Sequence, residues 1–134
     1  DIASRLQSSR FSSRTLASLY LDQGFLAGIG NYLRTEILFD AGLHPLRRAA
    51  DLGVGERGRL ARSTLGISHR SYQTGGITLR PALMRALQKA GSPHQMRRFA
   101  AFGRGGQPCY RCGSPVAREE ISSRRIYWCT TCQA

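Results

Sequence analysis

Four cysteines carry the clearest chemistry in this sequence of 134 residues. They fall as Cys109-x-x-Cys112 and, after sixteen residues, Cys129-x-x-Cys132. A two-residue gap lets both thiolates of a knuckle face one ion. Two knuckles joined by a hairpin-length spacer supply the four sulfur ligands of a tetrahedral Zn2+. Four protein ligands close the coordination sphere, so the pattern predicts one structural zinc, not a catalytic one. A tail this short builds no core of its own, and the metal then supplies folding energy. The alternative use of the same residues is two disulfides.

A second group of residues suits anions. Gly28-Ile29-Gly30-Asn31 stands at the start of an apolar-periodic stretch. Backbone N–H groups and the dipole at a helix start attract a phosphate, and the Asn31 side chain adds a donor. Taken alone, the same turn also serves as a plain helix–helix connection. Between the two knuckles lie Arg118, Arg124 and Arg125, which make the hairpin tip basic. The whole chain has 20 Lys and Arg against 8 Asp and Glu, a formal charge of +12. Four thiolates plus Zn2+ would lower that to roughly +10, and such a charge seeks polyanions. Lys89 is the only lysine; the arginine bias suits phosphate contacts and equally fits a GC-rich genome. No apolar run is long enough to span a bilayer, and the first ten residues have no signal-peptide character. We therefore expect a soluble cytosolic protein that binds nucleic acid, DNA or RNA, with Gly30, Asn31, Arg124 and Arg125 as the candidate phosphate contacts and no membrane partner.

The elements that must hold these residues follow from periodicity. Ser13 to Phe25 carries Leu16, Leu19, Tyr20 and Phe25 near a helical period. Asn31 reads as an N-cap for a helix over Tyr32 to Ala41, with Leu33, Ile37 and Leu38 on one face and Gly42 as its stop. Val54 to Ser68 has Leu60, Leu65 and Ile67 at partly helical spacing, weakened by Gly55 and Gly58. Ser71 to Thr78, with Gly75-Gly76, reads as a loop. Pro81 opens a short helix over Ala82 to Ala90, closed by Gly91. Residues 91–108 read as a linker, and residues 108–134 as a small β-hairpin. The fold class is mainly α: a helical domain over 1–102 and a zinc-finger hairpin over 103–134.

The stretch Leu21-Asp22-Gln23-Gly24-Phe25-Leu26-Ala27-Gly28-Ile29-Gly30-Asn31-Tyr32-Leu33-Arg34-Thr35-Glu36-Ile37-Leu38 resembles the helix–two-turn–helix motif of the formamidopyrimidine-DNA glycosylase and endonuclease VIII family. Gly106-Gln107-Pro108-Cys109 and Ser122-Ser123-Arg124-Arg125-Ile126-Tyr127-Trp128-Cys129 resemble that family's carboxy-terminal zinc finger, in the wording of the endonuclease VIII branch. The resemblance is strong over residues 16–43 and 103–133. It implies that Asn31 binds a backbone phosphate beside the lesion and that Arg124 grips phosphates near the extruded nucleotide. It also implies that Cys109, Cys112, Cys129 and Cys132 hold the zinc. No residue of the loop around 71–78 is given a role, because that loop matches poorly.

Family members excise oxidised bases and cut the strand at the abasic site. They use an amino-terminal proline, a neighbouring glutamate and a lysine of an amino-terminal β-sandwich domain. This chain starts Asp1-Ile2-Ala3, so the resemblance implies the carboxy-terminal half of such an enzyme, catalytically incomplete, monomeric, bacterial and associated with the nucleoid. A Schiff base needs an amine, and Asp1 and Lys89 are the two candidates. Glu119 and Glu120 suit ion pairing, and His44, His69 and His94 follow no ligand spacing. Outside that class stand a non-enzymatic zinc module for DNA or structured RNA, as in a small-subunit ribosomal protein with the same helical motif, and a zinc-stapled protein-interaction module.

Overall fold

Helix α3 (Asn31–Ala41; α1 and α2 precede it) is the element on which the rest is built. The computed structural model describes residues 1–134 apart from Ser122 and the side chains of Gln95 and Met96. Eight of the eleven residues of α3 are buried: Leu33, Arg34, Thr35, Glu36, Ile37, Leu38, Phe39 and Ala41. A helix covered around most of its circumference is a central one, packed on several sides. Its cap is Gly30, in extended conformation, so Asn31 is the first helical residue and not the cap expected for it. Gly42 adopts the left-handed conformation (φ 70°), and the Leu43 N–H closes back on the Leu38 carbonyl at 3.1 Å.

The expected helix over Ser13 to Phe25 is mostly not helical. Only α2 (Leu16–Leu19) is, capped by the Thr15 hydroxyl. The backbone before it and its first residue are claimed by a distant segment: the Ser12 and Arg14 carbonyls accept the Ala50 and Ala49 N–H groups at 2.7 and 3.1 Å, and Leu16 N–H donates to the Arg47 carbonyl at 2.8 Å. After it, Asp22 pairs with Arg14 and accepts the Gly24 N–H at 2.7 Å, which turns the chain away. Leu16, Leu19, Tyr20 and Phe25 are nonetheless all in the core. A short helix α1 (Ile2–Gln7), capped by Asp1, buries Leu6; two apolar residues in one turn and a half gave no periodic signal.

Helix α4 (Val54–Thr74) runs six residues beyond the expected end and contains Gly55, Gly58 and Gly66. Its buried stripe is Leu60, Ser63, Thr64, Ile67 and Ser71, whereas Leu65 is 66% exposed. Polar contacts to the central helices override the weak propensity. Tyr20 meets Thr64 at 2.8 Å, Tyr32 meets Ser71 at 2.9 Å, and Ser63 donates to Asp40 at 2.7 Å. Gly75 ends the helix at φ 72°, so Ser71 to Thr74 are helical and only the remainder is loop. Helix α5 (Pro81–Lys89) opens at its proline as expected.

The tail is a two-stranded antiparallel sheet, β1 (Val116–Ile121) and β2 (Arg124–Cys129), in the register Val116↔Cys129 to Ile121↔Arg124. Strand β2 is covered on both faces. Ile126 sits in the cluster that contains Leu16 and Ile37, and Tyr127 packs in a second cluster with Phe39 and Ala101. Mainly α with a terminal hairpin is the architecture that the sequence implied.

Candidate metal centre and nucleic-acid interface

Each Cys-x-x-Cys pair sits on a tight turn. The Arg111 N–H points at the Cys109 sulfur and the Cys132 N–H at the Cys129 sulfur, both at 3.3 Å. All four sulfurs lie within 4.8 Å of one another, with Cys109 to Cys132 at 4.0 Å and Cys112 to Cys129 at 3.4 Å. A disulfide needs ~2.05 Å, so no pair is bonded. A tetrahedron with ~2.3 Å bonds to sulfur has edges of ~3.8 Å, and the cluster fits one ion of that kind. The thiols are also driven apart in acidity. The Ser114 hydroxyl and backbone hold Cys112 down to about 6, whereas burial and the neighbouring thiols push Cys132 up to about 12. Four sulfurs this close cannot all ionise without a cation among them.

The centre is fastened to α3. Gln133, 2% exposed, accepts the Cys129 N–H at 2.8 Å and donates to the Leu43 carbonyl at 2.9 Å. A Cβ at Gly42 would stand 3.3 Å from the Cys132 carbonyl, so glycine there lets the knuckle approach as well as ending the helix.

The residues expected to meet DNA come together. Asn31 lines one open concavity with Arg118, Ser123, Arg124, Arg125 and Tyr127, and Phe102 and Gly103 complete it. Gly30 is exposed beside Asn31, and Arg124 and Arg125 are exposed at the hairpin turn, where Ser123 has φ 64°. Ser122, part of the hairpin wording, lies outside the described residues. At Gly28 the φ of 84° requires glycine, and its N–H is held by Gln23 at 3.1 Å.

Three buried polar residues that sequence reasoning missed hold this arrangement. Arg34 has no exposed surface; it donates to the Asn31 Oδ1 at 2.8 Å, the Ala17 carbonyl at 3.0 Å and the Arg125 carbonyl at 3.4 Å. One guanidinium thereby joins α2, α3 and β2. Burial first, then the charge of Arg124, lowers its pKa to about 10, which leaves it a cation at neutral pH. Because Arg34 takes Oδ1, the Asn31 amide nitrogen keeps its donors, and Asn31 lines the concavity. Glu36 accepts the N–H groups of Ala100, Ala101 and Phe102 at 2.6, 2.8 and 2.9 Å, and the Thr78 hydroxyl. It thus fixes the segment that leads into the first knuckle. Gln133 is the third. Only the three-residue spacing of Arg34 from Asn31 was a local signal.

The model of the formamidopyrimidine-DNA glycosylase H2TH domain matches residues 1–82. This chain belongs to that family. In the H2TH domain, α2, the turns over 20–30 and α3 form the helix–two-turn–helix. Endonuclease 8 of Shigella sonnei (strain Ss046) is 43% identical over 132 residues, covering 98% of this chain and 47% of the relative. Endonuclease 8 of Escherichia coli (strain K12 / DH10B) is 42% identical over 134 residues, with the same shares. Among solved structures, the MutM (Fpg) protein of Thermus thermophilus superposes with a TM-score of 0.79 at 33% identity, covering 99% of this chain and 50% of that one. Lactococcus lactis Fpg in complex with abasic-site DNA reaches 0.78 at 23% identity, covering 100% and 47%, which speaks to the fold alone. The H2TH chain spans about half the length of the curated relatives it matches.

Proposed function

We propose that this chain is the DNA-gripping carboxy-terminal portion of an endonuclease VIII-like bifunctional DNA glycosylase and abasic-site lyase, acting in base excision repair of oxidised bases. The observation that carries this reading is the shared concavity: Asn31 at the start of α3 and Arg124 and Arg125 at the hairpin turn line one surface. That surface offers an amide donor and several guanidiniums to a curved phosphate backbone. Membership in a DNA-glycosylase domain family and the Endonuclease 8 relatives support the same ligand class.

In this reading Gly30, Asn31, Arg124 and Arg125 hold phosphates of duplex DNA, damaged or abasic. Cys109, Cys112, Cys129 and Cys132 hold one structural Zn2+, which neutralises the crowded thiolates and fixes the hairpin. The division at 102/103 separates the helical part from the zinc finger. The chemistry resides in an amino-terminal catalytic domain, and this chain alone is inactive. The protein acts as a monomer, in the bacterial cytoplasm at the nucleoid. Among the described residues no helix is long and apolar enough to cross a membrane.

Borohydride trapping on a duplex with one abasic site tests the reading, run beside a binding titration. Binding without a covalent adduct is the expected result. An efficient adduct would assign the amine to Asp1 or Lys89 and overturn the catalytic incompleteness. A preference for folded RNA over duplex DNA would place the chain among non-enzymatic zinc modules.

A further inference from the structure

A second cavity lies between α3, α4 and α5 and shares no lining residue with the concavity around Asn31. It encloses about 160 Å³. Phe39, Ile67, Leu79 and Leu83 give it an apolar wall, and Arg70, Arg80 and Arg111 also line it. Arg80 and Arg111 are exposed by 69% and 37% and so stand at its mouth.

The charges at that mouth are unequal. Asp40 faces both guanidiniums through a single oxygen, at 3.4 Å from Arg80 and 3.3 Å from Arg111; its other oxygen is taken by the Ser63 hydroxyl at 2.7 Å. Glu36, deeper in, is occupied by Thr78 and the backbone of residues 100–102. Arg111 also donates to the Phe39 carbonyl at 3.0 Å and lies over the Phe39 ring, whereas Arg80, with one long contact to Asp40, keeps cationic donors at the mouth for an incoming anion.

The wall on the α5 side is also incomplete. Leu83 is the α5 residue that lines the cavity, and it is only half-buried; no residue of α5 is buried. An amphipathic helix whose apolar stripe stays half open borders space that the chain's own side chains do not fill.

We propose that this cavity binds a single-ring aromatic acid, with the ring against Phe39, Ile67 and Leu83 and the acid group between Arg80 and Arg111. The volume sets the ring count, since a cavity of ~150 Å³ lined by aliphatic and aromatic side chains takes up benzene. A neutral ring leaves the Arg80 guanidinium unanswered, and a bare anion leaves the apolar wall unanswered; a small aromatic acid answers both. The site is independent of the nucleic-acid surface and of the reading built on it.

The test is a fluorine NMR titration of the 134-residue chain with 4-fluorobenzoate, alongside 4-fluorobenzyl alcohol and fluoroacetate. Saturable broadening with a Kd on the order of 1 mM is expected for so small a ligand, with neither control binding comparably. Leu83→Trp fills the cavity and abolishes the broadening. Arg80→Glu, on an exposed side chain that carries little folding risk, weakens it roughly ten-fold. Helical circular dichroism checks that both variants are folded. Absence of broadening at ~10 mM, equal binding of the alcohol, or full retention in Arg80→Glu would each overturn the site. Retention in a folded Leu83→Trp would reduce the effect to attraction by the net positive charge.

Discussion

Asn31 and Arg34 are one helical turn apart, and their pairing shows how a surface contact is prepared from inside. A buried guanidinium is costly unless its donors are used. Here both terminal nitrogens are spent on Ala17, Asn31 and Arg125, and only the Nε–H is left without a partner among the described residues. Arg34 therefore works from within, and Arg124 faces outward. Replacing Arg124 with Ala removes an exposed cation from the concavity without removing a buried contact. Duplex affinity should fall about five- to fifty-fold at moderate salt, and the slope of log K against log salt should shrink by about one. Fluorescence anisotropy at several salt concentrations measures both, and unchanged affinity would remove Arg124 from the interface.

At the scale of elements, α3 and α4 hold the polar keystones. Each Glu36 oxygen has two hydrogen-bond partners: Oε1 the Thr78 hydroxyl and the Ala100 N–H, Oε2 the N–H groups of Ala101 and Phe102. Burial raises its pKa against the pull of those donors, but three of the four partners are backbone N–H groups that can only donate, which favours a carboxylate. Glu36→Gln would set an NH2 group against backbone N–H donors and should cost about 2–4 kcal/mol in urea unfolding; a neutral outcome would mean that the native side chain is protonated. At the start of α4, Glu56 pairs with Arg47 at 2.6 Å and accepts the Gly53 N–H at 2.9 Å. The Arg47 hydrogen bond, then Gly53, lowers its pKa to about 2. A depressed carboxylate stabilises the fold above its unfolded pKa and loses that contribution as pH falls toward the folded value. Stability should therefore decline from about pH 4.5 to about pH 2, modestly because the pair is partly solvated. Glu56→Gln should flatten that part of a stability-against-pH curve; an unchanged curve would deny the pair its part.

Across the whole molecule, the hairpin and the helices share a core. Ile126 is fully buried with Leu16 and Ile37, and Trp128 packs on the same cluster. Gln133 and the contact of His44 N–H with the Ala134 carbonyl at 3.0 Å tie the tail to the end of α3. Loss of metal should then reach beyond the finger. Chelation of the zinc-loaded chain should lower the melting temperature of the helical circular dichroism signal, since a ligand bound to the native state stabilises all that unfolds with it. A helical transition indifferent to chelator would make the finger an independent appendage.

The sequence by itself determined the chemistry that depends on spacing: the two cysteine knuckles, the glycine turn before Asn31, the hairpin arginines and the helix that opens at Pro81. Those features are local, and local geometry places ligands two residues apart or caps a helix without help. It also set the mainly α class and the family resemblance. Tertiary structure alone decided three things. Backbone bonds to residues 45–50 break the apparent helix over Ser13 to Phe25. Long-range hydroxyl contacts carry α4 through three glycines to Thr74. And Arg34, Glu36 and Gln133, polar residues that a linear pattern assigns to the surface, are buried with hydrogen-bond partners distant in sequence. An unpaired charge is expelled to water, a paired one can be kept inside, and only the folded chain shows which pairs exist.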